Sequence, residues 1–281
     1  MHKYITNFRV WGMILVFLLF IFSACEKTDP TAPEEGTPPD IPPASTFQMD
    51  FSDFQTQGTG KIKHDGQEIL LSKQNWGWAA ANVFVWNVIL TINLIVPVAA
   101  FLESFNHEPV QQADGSWLWM YNFTVAGFQH TAKLTATTED GFINWKMQIS
   151  KQNNFTDFEW FTGRSNLVAT EGTWTLNAKP NDPTPLLGIL WHRNPLDGSS
   201  DIRYTNIIPN NDENGAFIQM AIVPDSALDA SYQIYSVVKN NMTDIEWSRT
   251  TKEGRISDSL HFVDNGQWHC WNNLYDDIEC Q

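Results

Sequence analysis

The residues best placed to do chemistry are two pairs of carboxylates. Asp157 with Glu159, and Asp244 with Glu246, sit two positions apart inside near-identical octapeptides, Asn153 to Trp160 and Asn240 to Trp247. Such pairs could bind Ca²⁺ or divide the work of acid and base. In an extended strand, however, alternate side chains point to opposite faces. Each pair is therefore expected opposite its own tryptophan, on a solvated face behind an Asn-Asn turn. The sequence has no Gly-x-Ser-x-Gly elbow, no His-Glu-x-x-His, no phosphate-cradling glycine loop and no Cys-x-x-Cys. The histidines beyond the N-terminal segment (His64, His107, His130, His192, His261 and His269) are scattered. No catalytic residue, metal site or cofactor is expected from these patterns. Cys270 and Cys280 lie ten positions apart near the C-terminus, a spacing that predicts a disulfide in an oxidising compartment.

That compartment is suggested by the N-terminus. Lys3 and Arg9 precede an uncharged run from Val10 to Ala24, too short to cross a bilayer and followed by small residues. Phe22-Ser23-Ala24-Cys25 resembles the lipobox of bacterial lipoproteins, with Phe22 where leucine is usual. The resemblance implies that residues 1–24 are a signal peptide and that Cys25 is lipidated. It further implies that the protein sits in the bacterial cell envelope, most naturally at the outer membrane, held by its N-terminal lipid. Six prolines between Thr28 and Thr46 predict an extended linker over residues 25–46, reaching roughly 60 Å at ~3.1 Å per residue. One domain, 47–281, should follow. The chain has 17 basic and 32 acidic residues, for a net charge of −15. With no basic cluster, a nucleic-acid partner is not expected.

Stepping along the domain, period-two alternation dominates from Trp117 onward. Trp117, Trp119, Tyr121 and Phe123 share one face, as do Ile143, Trp145, Met147 and Ile149. Asp140-Gly141, Asp197-Gly198, Asn214-Gly215 and Asn265-Gly266 mark turns between the runs. The expected fold is mainly β: a large curved antiparallel meander of about ten strands, barrel- or clam-like, wrapped around one apolar α-helix. The octapeptides match at six of eight positions, and flanking residues match in order: Tyr121 with Tyr204, Gly127 with Gly215, and Gly172-Thr173-Trp174 with Gly266-Gln267-Trp268. These matches predict an internal duplication, 115–178 and 198–273.

No charge occurs between Lys73 and Glu103, and residues 78–102 read as a helix about 37 Å long. Its all-round apolarity suits a helix enclosed by a curved sheet. A membrane span fits less well, with Asn82, Asn87, Asn93 and Pro97 inside and no basic flank. Asn82 and Asn93 share a stripe beside Trp86, expected to form a polar strip facing the sheet. In architecture alone this is similar to lipocalin-like barrels and lipid-carrier clams, with no motif of either family. The leading expectation is a non-enzymatic binding module for a hydrophobic or amphipathic small molecule, contacted by Asn82, Trp86, Asn93, Trp117 and Trp119. The alternatives are a structural or adhesive surface lipoprotein with a filled interior, and a glycan-binding protein using exposed tryptophan.

Overall fold

The computed structural model describes residues 36–55 and 73–280; residues 1–24, Cys25 and the first part of the linker lie outside them. Fourteen strands form one antiparallel sheet in strict chain order, curved but not closed. They are β1 (Val110–Gln111), β2 (Trp117–Val125), β3 (Phe128–Glu139), β4 (Phe142–Lys151), β5 (Phe155–Asn166), β6 (Glu171–Lys179) and β7 (Asp182–Arg193). The second half comprises β8 (Ser200–Asn206), β9 (Phe217–Ile222), β10 (Ala230–Ser236), β11 (Asn241–Trp247), β12 (Gly254–Asp258), β13 (His269–Trp271) and β14 (Asp277–Ile278). Wide sheets curl because every strand pair adds twist. Both edges are two-residue strands, which offer little template for pairing with another chain. The turn between β3 and β4 has Asp140 and Gly141 at φ of 50° and 77°, the left-handed pair a two-residue hairpin requires.

Both octapeptides open the strand after a turn in which the first asparagine is left-handed, Asn153 at φ 57° and Asn240 at φ 46°. They enter β5 and β11, the fourth strands of β2–β6 and β8–β12. Trp160 and Trp247 are both buried. The copies differ in regularity. β5 shifts register against β4 between Met147 and Gln148 and again between Ile149 and Lys151, whereas β11 pairs evenly with β10. The proposed match of Gly172 to Gly266 does not hold in three dimensions: Gly172 lies within β6, and Gly266 in the loop before β13. The residue that plays the part of Gly172 is Gly254. Gly172 pairs with Trp191 and Gly254 with Trp271, and in each case a Cβ would stand 2.5 Å or less from the indole Cζ2.

The concave face carries Trp145, Trp174, Trp191, Tyr204, Tyr232, Trp247 and Trp271, all buried. What covers it is not the helix along its length but a strap, residues 41–55, with short 3-10 turns at Ala44–Thr46 and Ser52–Phe54. Phe47 stacks on Phe101 at 4.6 Å and meets Trp174 edge-on at 5.6 Å; Phe54 meets Trp247 edge-on at 4.9 Å. Each such ring pair adds about 0.5–1.5 kcal/mol beyond the area it buries. Strap polar groups are met by the sheet. Tyr204 Oη donates to the Phe47 carbonyl at 2.8 Å and accepts from Met49 N at 2.7 Å, and Tyr232 Oη donates to the Asp50 carbonyl. Burial raises both phenol pKa values above the ordinary range. The stretch expected as a free stalk is thus, over its described residues, part of the body: Pro39 and Pro42 are buried. Proline has no N–H to desolvate, so burying it here costs little.

The helix α1 runs Gln74–Ser104, longer at both ends than 78–102, with a buried Pro97 inside it. It is not enclosed. Ala79, Val83, Leu90, Leu94 and Phe101 face the body, while Phe84 is 59% and Ile92 70% exposed. The strap occupies the place the helix was expected to fill, so α1 is left as a bridge between the two ends of the sheet. Its first turns rest on β12–β14, where the Asp277 carboxylate accepts from Gln74 N and Asn75 N at 3.0 and 2.9 Å. Asn75 Nδ2 donates to the Cys270 carbonyl at 2.9 Å. Its last turns rest on β2, where Tyr121 Oη donates to the Ala100 carbonyl and His107 stacks on the Tyr121 ring at 4.7 Å. Cys270 and Cys280 are at disulfide distance, with Cα atoms 5.2 Å apart, fastening the segment that caps α1.

Candidate functional site

Because α1 touches the sheet mainly at its ends, its middle turns stand over open space on both flanks. On one flank a cavity of about 330 Å³ lies between α1 and strands β7, β8 and β10. Trp86, Leu90 and Leu94 from the helix face Leu187 and Ile234 from the sheet and Ala216 from the β8–β9 loop. Asn82 and Asn93 are on the same wall, so three of the five residues expected to contact a ligand do converge. The other two do not. Trp119 is core, buried against Trp145 at 5.9 Å, and Trp117 lies half-buried at the start of β2. Alternation told which side of β2 they occupy, not what would lie against that side.

The asparagines also depart from expectation. Asn82 Nδ2 donates to the Trp78 carbonyl at 2.8 Å and Asn93 Nδ2 to the Ile89 carbonyl at 2.6 Å. Both amides bond within their own helix, Asn82 half-buried and Asn93 exposed. They form a polar rim beside the cavity, not a strip sealed against the sheet.

At the N-terminal end of the helix the cavity meets a second space of about 420 Å³, more polar in character. Asn82, Ile234, Ser236 and Lys239 line both. The second space is framed by Asp258, whose side chain is 3% exposed residue-wide and accepts five hydrogen bonds. Trp78 Nε1, Asn241 Nδ2 and Thr243 Oγ1 each donate at 2.9 Å, and the amides of Leu260 and His261 donate at 3.1 and 3.2 Å. Burial pushes this carboxyl pKa up, but the hydrogen bonds from Trp78, Asn241, Thr243 and His261 outweigh it and hold it below the ordinary value. The His261 ring stacks on Trp78 at 3.9 Å. Asn241 and Thr243 belong to the second octapeptide, so that motif supports the site through Asp258 and not through its own carboxylates.

No family model, curated protein or solved structure matches this chain. The site must be read from its own chemistry. Three of the four paired carboxylates are engaged outside it: Asp157 is held by Lys133 at 2.9 Å, Asp244 accepts from Gln233 at 3.0 Å, and Glu246 pairs with Arg255 at 2.6 Å, while Glu159 is exposed to solvent. Among the described residues no group of three His, Cys, Asp or Glu side chains could hold a metal ion.

The opposite flank of α1 carries a cavity of about 660 Å³ between Thr91, Ile95 and Val98 of the helix and Gln48, Met49 and Phe51 of the strap. Leu90 and Leu94 reach both flanks. Sequence reasoning missed this wall because residues 47–55 follow a proline-rich stretch. The signal was there in Phe47, Met49 and Phe51, three apolar residues at strand spacing.

Proposed function

We propose that the protein is a lipid-anchored component of the bacterial cell envelope that binds a hydrophobic or amphipathic small molecule beside α1, without chemical turnover. The observation that carries this reading is the 330 Å³ cavity walled by Trp86, Leu90, Leu94, Leu187 and Ile234, within the ~300–1,000 Å³ range of small-molecule sites. Such sites pair an apolar wall with a few convergent polar groups, as Asn82, Ser236 and Lys239 do here. The test is native mass spectrometry of protein purified from its own host, compared with Ala216→Phe, which fills the cavity from the β8–β9 loop. A bound mass present in the parent and lost in the variant supports the reading. Absence of any bound mass, together with failure to take up an apolar fluorescent probe, overturns it.

A structural or adhesive role has one observation in its favour. The strap fills the concavity of the sheet, and the uncharged stripe of α1 through Phe84, Val88 and Ile92 is exposed. Exposed apolar patches of this kind mark contact surfaces. A glycan platform is less well supported, since among the described residues every tryptophan is buried or half-buried.

A further inference from the structure

We propose that the ligand is a single-chain anionic amphiphile of the fatty-acid type, its tail in the apolar cavity and its carboxylate against Lys239; this rests on the binding reading above. The argument starts from the junction of the two spaces. An apolar slot opening into a polar vestibule has the two-part character of an amphiphile, and Asn82, Ile234, Ser236 and Lys239 mark where head and tail would join. The charge of the head follows from which groups at the junction are already committed. Asp258, the carboxylate of the vestibule, is saturated by five donors. Glu213, on the wall of the apolar cavity, accepts from Ser236 Oγ at 2.7 Å and Val237 N at 2.8 Å. Lys239 lines both spaces, and among the described residues its ammonium has no hydrogen-bond or ion-pair partner. Glu213 and Asp258 keep their charge, since their donors are neutral, but a cationic head would meet Lys239 and find every carboxylate oxygen there already accepting. An anionic head finds a counter-ion without displacing any existing partner.

The experiment is titration of the purified protein at pH 8 with decanoate, decanol and decyltrimethylammonium, each below its critical micelle concentration. The expected order of affinity is decanoate, then decanol, then the cation. Because Lys239 is exposed, the preference for decanoate over decanol should be modest, about fivefold. Lys239→Met should erase that preference, and Lys239→Glu should reverse the order. Lys239 lies in a surface turn, and unchanged far-ultraviolet dichroism of both variants verifies that the fold is kept. If all three ligands bind equally, or the cation binds best, the anionic assignment is overturned while the binding reading stands. If decanoate is preferred but Lys239→Met leaves the preference intact, the role of Lys239 is overturned. If none binds, the binding reading itself falls.

Discussion

Replacing Asp258 with alanine should be among the most damaging single changes outside the aromatic core. The carboxylate caps the short helix α2 (Ser259–Phe262) through the Leu260 and His261 amides, and loss of such a cap costs about 1 kcal/mol. The change also strands the donors of Trp78, Asn241 and Thr243. Thr243 is buried and loses its partner outright, while Trp78 and Asn241 are half-buried and recover part of theirs from water. At about 1 kcal/mol per donor, with that discount, the total is about 3 kcal/mol. For a domain of this size that lowers the melting temperature by roughly 6–12 °C. The charge can be isolated with Asp258→Asn, which keeps the shape. Since the folded carboxyl pKa lies below its unfolded value, its contribution is complete above about pH 4 and is lost as pH falls through the folded value. Thermal and urea unfolding followed by dichroism should therefore show a gap between the parent and Asp258→Asn at pH 7 that closes on acidification. A loss under about 1 kcal/mol for Asp258→Ala, or an Asp258→Asn gap independent of pH, would refute the account of Asp258 as the hub joining α1 to the sheet.

Gly172→Ala and Gly254→Ala should each destabilise by about 2–3 kcal/mol in urea titrations, because the added methyl meets an indole and a strand carbonyl that cannot both yield. Reducing Cys270–Cys280 should cost roughly 3 kcal/mol by loop entropy, with exchange protection lost first at the start of α1, readable by hydrogen exchange under dithiothreitol. Phe84→Ser with Ile92→Ser should leave the melting temperature within about 1 °C, because both side chains are exposed, and should raise solubility in sedimentation assays. Cys25→Ser should shift the protein from the membrane to the soluble fraction; persistence with membranes would transfer the anchoring role to residues 74–104, a helix apolar enough by length and composition to span.

The sheet was legible because its determinants are local. The run Ile143, Trp145, Met147, Ile149 declares its buried face within eight residues, and Asp140-Gly141 declares its turn. The helix was legible from the 29 positions without charge between Lys73 and Glu103, but its orientation was not, since a segment apolar on every side does not reveal which side is covered. That depended on the strap, and proline-rich composition concealed the strap even though its prolines are what make it cheap to bury. For the site, helical spacing placed Asn82, Trp86 and Asn93 on one side of α1, and they share a cavity wall. Trp117 and Trp119 lie away from that wall, because a strand face says nothing of what lies against it. Lys239 was invisible: one lysine in a turn acquires meaning only from two cavities that meet beside it.

The bridge made by α1 sets an order of events during synthesis. Gln74 and the Asp277 that caps it are 203 positions apart. At ~5–20 residues per second, the helix emerges roughly 10–40 s before the residues that receive its first turn. Throughout that interval the first turns of the helix lack the strands that receive them, while its last turns can already settle on the strap and β2. The meander can form meanwhile, since each strand pairs with the one just made and such contacts close early. The helix then docks last at its N-terminal end, although it was made first. Until residues 269–278 arrive, the first turns of the helix lie uncovered beside a sheet that still lacks β13 and β14, so the yield of folded protein should depend on that segment far more than its few contacts with the rest of the sheet suggest.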